Sequence, residues 1–309
     1  MREVDATIGR RLDSGVPLVG EVARYIISAG GKRLRPVLLL LTCGALNCPH
    51  PQRFNLAAVV EFIHTATLLH DDVVDESTLR RGRSTANEVF GNPASVLVGD
   101  FLYSRAFQML VALGDMQIMQ IMADTTNTIA EGEVLQLVNA GDITTNEERY
   151  RRVIACKTAQ LFEAAAQCGA IIAGADTDTQ KEFAQYGHHL GMAFQLIDDV
   201  LDYTGDSAEM GKNIGDDLSE GKLTLPLIYT LQFGETADAQ CIRDAITHKN
   251  TEQLPRIIQI VQNNGALQYA EQAALREVES ALGCLNTLPA SRYRDELTAL
   301  AHFAIKRRT

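Results

Sequence analysis

The stretch LLHDDVVD, residues 68–75, sets three aspartates into what otherwise reads as a core helix. Much later QLIDDVLD, residues 195–202, repeats the arrangement. On a helix each residue advances about 100°, so positions i, i+1 and i+4 fall within an arc of about 100°. Asp71, Asp72 and Asp75 therefore project from one side of their helix, and Asp198, Asp199 and Asp202 from one side of theirs. Their neighbours Leu68, Leu69, Val73 and Val74 are apolar, which places the carboxylates at the edge of a core. An exposed like-charged pair at i, i+4 costs only about 0.2–0.5 kcal/mol, so one such cluster needs no more than a solvated face. In a partly buried cleft, carboxylates ~6 Å apart at an effective dielectric of ~20 repel by about 3 kcal/mol. Two clusters facing one another would need cations between them. Hard oxygen donors suit Mg²⁺, which keeps several waters and commonly bridges a carboxylate to a substrate phosphate.

Outward from these motifs the pattern stays helical. Residues 18–29, 36–47, 54–75, 94–113, 116–140, 147–173, 179–204, 223–233, 239–247, 252–263, 266–286 and 291–306 carry apolar residues at three- and four-residue spacing. Glycine and proline fall mostly between these segments, and no alternating strand pattern is found. The expectation is an all-α chain, residues 1–309, folded as one domain. Its 309 residues, 46% of them hydrophobic, suffice for a large core. A net charge of −11 argues against nucleic acid or an anionic membrane as the main partner. No apolar run reaches the ~18–20 residues of a membrane span, and MREVDATIGRRLDSG at the start has no apolar signal core. The six cysteines are scattered with no CxxC pair, as expected of reduced thiols in a cytoplasmic protein.

Basic residues sharpen the picture. GGKRLRP, residues 30–36, puts Lys32, Arg33 and Arg35 where a loop enters a helix, and backbone N–H groups there favour an anion. RRGRST, residues 80–85, follows the first aspartate cluster with Arg80 and Arg81, whose planar forks match phosphate oxygens. Lys212 and Lys222 follow the second cluster. Aspartates followed by bases, twice over, suit a metal-bridged diphosphate.

These motifs, with the KTA at residues 157–159, occur in the order found in the trans-isoprenyl diphosphate synthases (polyprenyl synthetases), and the chain resembles that family over nearly its whole length. EFIHTATLLHDDVVDES and AEGEVLQL are most similar to its bacterial members that make eight-unit, octaprenyl, products. The resemblance implies the isoprenoid synthase fold, antiparallel helices around a deep central cavity, usually as a homodimer. It implies Mg²⁺-assisted ionisation of an allylic diphosphate and attack on the cation by isopentenyl diphosphate. It assigns Asp71, Asp75 and Asp198 as metal ligands, with Asp72, Asp199 and Asp202 as water-mediated ligands or supports. Arg80, Lys157, Lys212 and Lys222 would hold the allylic diphosphate, with Thr158 and Gln195 nearby, and Lys32, Arg35, His64 and Arg81 would hold isopentenyl diphosphate.

Product length is expected to follow from the cavity floor. Ile63 and Thr67 lie two turns and one turn below Asp71, with Ala66 beside them. Short-chain relatives carry aromatics at the fourth or fifth position before the first aspartate, where this chain has Thr67 and Ala66. The tunnel is thus expected to extend towards Met109, Met116, Met119 and Met122. Four alternatives stand beside this: a shorter-chain synthase, a terpene cyclase or head-to-head synthase, a non-catalytic subunit of a heteromeric prenyl synthase, and a helical metal-binding protein, which would leave the arginine and lysine motifs unexplained. A cyclase or head-to-head enzyme would not need QLIDDVLD and GGKRLRP together, and a non-catalytic subunit would not need all six aspartates.

Overall fold

The apolar periodicity of residues 54–75 becomes α4, Arg53–Val74, a 22-residue helix that presents the first aspartate cluster at its C-terminal end. In the computed structural model, which describes residues 1–204, 215–248 and 251–306, α4 follows α1 (Arg2–Arg11), α2 (Pro17–Ser28) and α3 (Leu34–Ala45). After it come a short hairpin, α5 (Ala86–Phe90), α6 (Asn92–Leu113) and α7 (Met116–Asn139). Then follow α8 (Glu147–Ile154), a π-helical turn (Ala155–Ala159), α9 (Gln160–Ile172) and α10 (Thr177–Thr204), the last carrying the second cluster. Helices Asp216–Ser219, Leu225–Phe233, Thr236–His248, Leu254–Asn263, Ala266–Cys284 and Arg292–Lys306 complete the described chain.

The chain packs as two compact units. The first comprises Met1–Thr126, Leu161–Gly187 and Thr287–Leu297, and the second Asn127–Gln160, His188–Asn286 and Thr298–Thr309. Leu38, Leu39, Leu56, Phe62, Ile63, Leu69, Leu102 and Phe162 are all but inaccessible and form the centre of the first unit. Leu196, Tyr203, Leu225, Leu227, Ile242, Ile257 and Val261 do the same for the second. All six cysteines are free thiols.

Within the first unit α6 lies along α4. Ser95 Oγ donates to the Leu69 carbonyl at 3.1 Å. Gly99 leaves room for the His70 ring, which a β-carbon there would strike; the ring stacks on Tyr103 with centroids 6.0 Å apart. α6 departs from one expectation. It is long and apolar enough to cross a membrane by length and composition, a signal the sequence reading passed over because Asp100 and Arg105 interrupt its apolar run. Val98, Leu102, Ala106 and Leu110 are buried, whereas Leu97 and Val111 are 66% and 68% exposed.

Two further departures concern local geometry. Leu79–Arg80 and Arg83–Ser84 form a two-stranded antiparallel hairpin. Its loop residues Arg81 and Gly82 both have positive φ, 54° and 72°, as a type I′ turn requires. Sequence gave no alternating pattern here because the strands are two residues long. The π turn, also unforeseen, inserts one residue's worth of rotation between α8 and α9. Gly132 of α7 makes room for it: a β-carbon there would lie 2.8 Å from Cys156 Cβ and 3.0 Å from the Lys157 nitrogen.

Candidate functional site

In the first unit the glycine–basic loop and the hairpin come together. Gly30 and Gly31 have φ of 87° and 135°, and Arg33 is left-handed at 51°. The Arg33 carbonyl accepts the first helical bond of α3, from Val37, at 3.0 Å, so Pro36 sits where its missing N–H costs nothing. Arg81 donates to the Gly30 carbonyl, and its guanidinium lies against Gly31, where a β-carbon would meet Nη1 at 2.7 Å. Arg35 Nη1 reaches His64 Nε2 at 3.3 Å, and its guanidinium stacks over the Phe162 ring at 4.3 Å. Arginine only donates, so His64 Nε2 accepts and the imidazole carries its proton on Nδ1. Burial, and then the charges of Arg35, Arg81, Arg80 and Arg33, hold His64 well below the usual histidine range. Burial pushes Arg35 down to about 10, Glu61 opposing and Arg81 assisting. Arg35 Nε is buried without a hydrogen-bond partner. The structure thus brings Arg35, His64 and Arg81 together, with exposed Lys32 on the same loop.

One carboxylate balances these cations. Glu61 is 8% exposed and accepts from Arg33 Nη1 at 2.7 Å; Asp5 lies 3.9 Å from the other Arg33 terminal nitrogen. Burial raises the Glu61 carboxyl, against the pull of Arg33 and Arg35. Arg33 is legible from sequence as a cation of the loop but not as a partner of Glu61, which sequence reading does not single out. The available signal was a charge within the apolar run VVEFI.

The first aspartate cluster is not uniform. Asp72 is wholly buried, and its Oδ1 accepts from Arg80 Nε at 2.7 Å and Nη2 at 2.6 Å. Burial raises the Asp72 carboxyl, Arg80 opposing. For Arg80 burial works downward but the charge of Asp72 prevails, so its pKa is raised. Asp71 and Asp75, on the same helix face, are half-buried. The set fits a hard divalent cation in its chemistry: every donor is oxygen, and Asp72 Oδ2 is buried with no hydrogen-bond partner. Among the described residues no group of three or more His, Cys, Asp or Glu side chains is gathered closely enough to hold a metal alone.

In the second unit Asp198 is half-buried and Asp199 only 2% exposed. Asp199 Oδ2 accepts from the Tyr150 hydroxyl at 2.5 Å and Oδ1 from Gln195 Nε2 at 2.7 Å. Gln195 Oε1 in turn accepts from Thr158 Oγ1 at 2.9 Å. Burial, then the Asp217 charge, raises Asp199 well above the carboxylate range, Tyr150 and Gln195 opposing. Lys157 Nζ pairs with Glu133 Oε2 at 2.7 Å, and Lys222 pairs with Glu220. Lys212, with the segment that begins at Gly205, lies outside the described residues. Tyr150 and Glu133 were not singled out from sequence; Tyr150 sits in an arginine-rich run, RYRR, that advertises a surface rather than a buried hydroxyl.

On the expected chamber floor, Ile63 and Ala66 are fully buried. Thr67 is half-buried, its hydroxyl donating back to the His64 carbonyl at 2.8 Å. Met109 and Met122 are buried and Met119 half-buried. Met116 is 74% exposed; it opens α7 and does not belong with the buried methionines, a correction to the expected set.

The polyprenyl synthetase family model matches residues 16–263. The chain is 49% identical to octaprenyl diphosphate synthase of Escherichia coli (strain K12) over 308 residues, covering 99% of this chain and 95% of the relative. It is 47% identical to the geranyl-diphosphate-specific all-trans-nonaprenyl-diphosphate synthase of Rhodobacter capsulatus, covering 98% of this chain and 94% of that one. Among solved structures it is similar to a polyprenyl synthase from Caulobacter crescentus CB15 complexed with calcium and isoprenyl diphosphate. There the TM-score is 0.96 and the identity 41%, over 99% of this chain and 94% of the other. The fold is that of the isoprenoid synthases, and the chain belongs to the polyprenyl synthetase family of prenyltransferases.

Proposed function

We propose that the chain is a long-chain trans-polyprenyl diphosphate synthase whose product ends at eight isoprene units. In this reading residues 1–309 act as one catalytic domain that extends an allylic diphosphate, farnesyl diphosphate by preference, with successive isopentenyl diphosphates. The observation that carries it is the gathering of Arg35, His64 and Arg81 on Gly30 and Gly31, whose guanidinium donors suit a diphosphate. Lys32 adds a mobile-stemmed charge at the same loop. Asp71, Asp75 and Asp198 would hold Mg²⁺, with Asp72 fixed by Arg80 as a support. When bound, the metal supplies Lewis-acid stabilisation of the departing diphosphate.

The chain's own groups do the rest. Arg80, Lys157, Lys222 and Lys212 bind the allylic diphosphate; Lys157 and Lys222 exchange their glutamate partners for phosphate oxygens. Thr158 Oγ1 and Gln195 Oε1, joined by a hydrogen bond at 2.9 Å, are the oxygens that would face the developing cation. Apolar walls exclude water that would quench it. The released diphosphate accepts the proton, so no protein base is required. Ile63, Ala66 and Thr67 leave the path below Asp71 free of aromatic rings, which supports a long product. The exposed apolar residues Val96, Leu97 and Val111 of α6 are of the kind a second copy of the chain covers in a homodimer. The proposed setting is the cytoplasm, with the product destined for a quinone side chain.

The test is a chain-length assay with Mg²⁺, farnesyl diphosphate and labelled isopentenyl diphosphate. A ladder ending near eight units is expected. Products ending at three or four units would keep the chemistry and refute the product length. Binding without incorporation would point to a non-catalytic subunit.

A further inference from the structure

We propose that Tyr150 is a positioning residue for the allylic half of the reaction: through Asp199, its hydroxyl selects which end of the Gln195 amide faces Thr158. The inference rests on the reading of Thr158 and Gln195 given above. An amide side chain has a donor end and an acceptor end of nearly the same shape, and only its partners decide which points where. Here the partners form one directed chain. Tyr150 donates to Asp199 Oδ2 at 2.5 Å and, with Gln195, favours the ionised, accepting form of the carboxyl against its burial, so that oxygen is occupied and the carboxylate is fixed in rotation. Asp199 Oδ1 then takes the NH₂ end of Gln195 at 2.7 Å. What remains for Thr158 is Gln195 Oε1, at 2.9 Å. Tyr150, Asp199 and Thr158 are 5%, 2% and 8% exposed, so water has little access to substitute for a missing link.

Without the Tyr150 hydroxyl, Asp199 Oδ2 becomes a buried oxygen with no donor. The carboxyl can rotate to share both oxygens with Gln195, and the amide is free to turn its NH₂ end towards Thr158. In the proposed reading the developing cation lies beside Thr158 and Gln195, and an NH₂ end in place of Oε1 there opposes the transition state more than the ground state. The consequence is a fall in kcat with little change in KM. Tyr150 belongs to α8, outside both aspartate motifs and the KTA turn.

The experiment is a double-mutant cycle of Tyr150→Phe and Gln195→Ala in the full chain. Steady-state kinetics would be measured with farnesyl and isopentenyl diphosphates and Mg²⁺, and folding checked by circular dichroism. Tyr150→Phe is expected to lower kcat by about tenfold, with KM for both substrates within about twofold. In the Gln195→Ala background the same change is expected to cost less than about twofold. An unchanged kcat for Tyr150→Phe beside a slow Gln195→Ala overturns the inference alone, as does an equal loss in both backgrounds. Full activity of Gln195→Ala removes the reading of that residue and the inference with it. Should Tyr150→Phe fail to fold, Tyr150→Met enters the same cycle: it removes the hydroxyl with a more adaptable side chain, and the same two outcomes decide.

Discussion

Glu61→Ala removes the carboxylate set against the cations of the glycine–basic pocket. The side chains of the Arg33–Glu61 pair are 18% and 10% exposed and meet at 2.7 Å. Truncating one partner of a buried pair costs about 3–5 kcal/mol, because the other charge is left uncompensated. Arg33 keeps some solvent access and has Asp5 at 3.9 Å, so the lower end, about 3 kcal/mol, is expected. Glu61→Gln retains an acceptor of the same reach and should cost about 1–2 kcal/mol. Arg33→Met leaves the left-handed backbone at residue 33 as strained as before, since both residues carry a β-carbon. It therefore isolates the charge. Adding Glu61→Met to it removes both charges, which restores much of the loss and gives a coupling energy of about 2 kcal/mol. The coupling is read from urea unfolding of wild type, Arg33→Met, Glu61→Met and the double variant by circular dichroism and tyrosine fluorescence, two probes being needed because a chain of two compact units can unfold in steps. A coupling below about 0.5 kcal/mol would refute the claim that this buried pair holds the pocket together.

Three further outcomes are expected. Ala66→Phe adds a ring at a fully buried position one turn from the aspartates, and should shorten the product to about three or four units; an unchanged ladder from both Ala66→Phe and Thr67→Phe would sink the floor argument. His64, held well below its unfolded value of 6.5, refuses a proton that the unfolded chain accepts. Its stabilising contribution is present above that pH and falls away below it, by up to about 1.4 kcal/mol per pH unit. Glu61, Asp72 and Asp199 are raised and act in the opposite sense from about pH 4 upward, so the measurement is the difference between wild type and His64→Gln from pH 7 to 5, and a constant difference would contradict the assignment. Gly132→Ala places a methyl 2.8 Å from Cys156 Cβ. It should cost about 1–3 kcal/mol and reduce turnover by displacing Lys157 and Thr158; a Tm within a degree of wild type would show that the turn yields freely.

The helices, the two aspartate faces and the basic loops were legible because each rests on local chemistry. Three carboxylates at i, i+1 and i+4 share a face wherever the helix lies, and Gly30-Gly31 marks a turn whatever surrounds it. What escaped depends on partners distant in the chain. Nothing near Tyr150 announces that its hydroxyl meets Asp199, and nothing near Arg80 announces that it clasps the Asp72 carboxylate. The π turn was hidden for a different reason: ACKTA has ordinary helix formers, and the extra residue is accommodated by Gly132 on another helix. Composition cannot separate Met116 from Met109 and Met122, but as the first residue of α7 it is exposed where they are buried.

The seat of Arg81 on Gly30 and Gly31 also bears on the order in which the molecule is made. Arg81 and Gly30 are 51 residues apart, Arg33 and Glu61 28, and Arg35 and His64 29. α3 and α4 can each coil within about a microsecond on local bonds alone. The pocket exists only after the hairpin beyond α4 has returned to the loop before α3, and Arg35 finds its stacking surface only when Phe162 of α9 arrives. Non-local closures of this kind come late in folding. A growing or refolding chain would thus be helical well before it could hold a diphosphate. Competence to bind substrate reports completion of the first unit in a way that helical content does not.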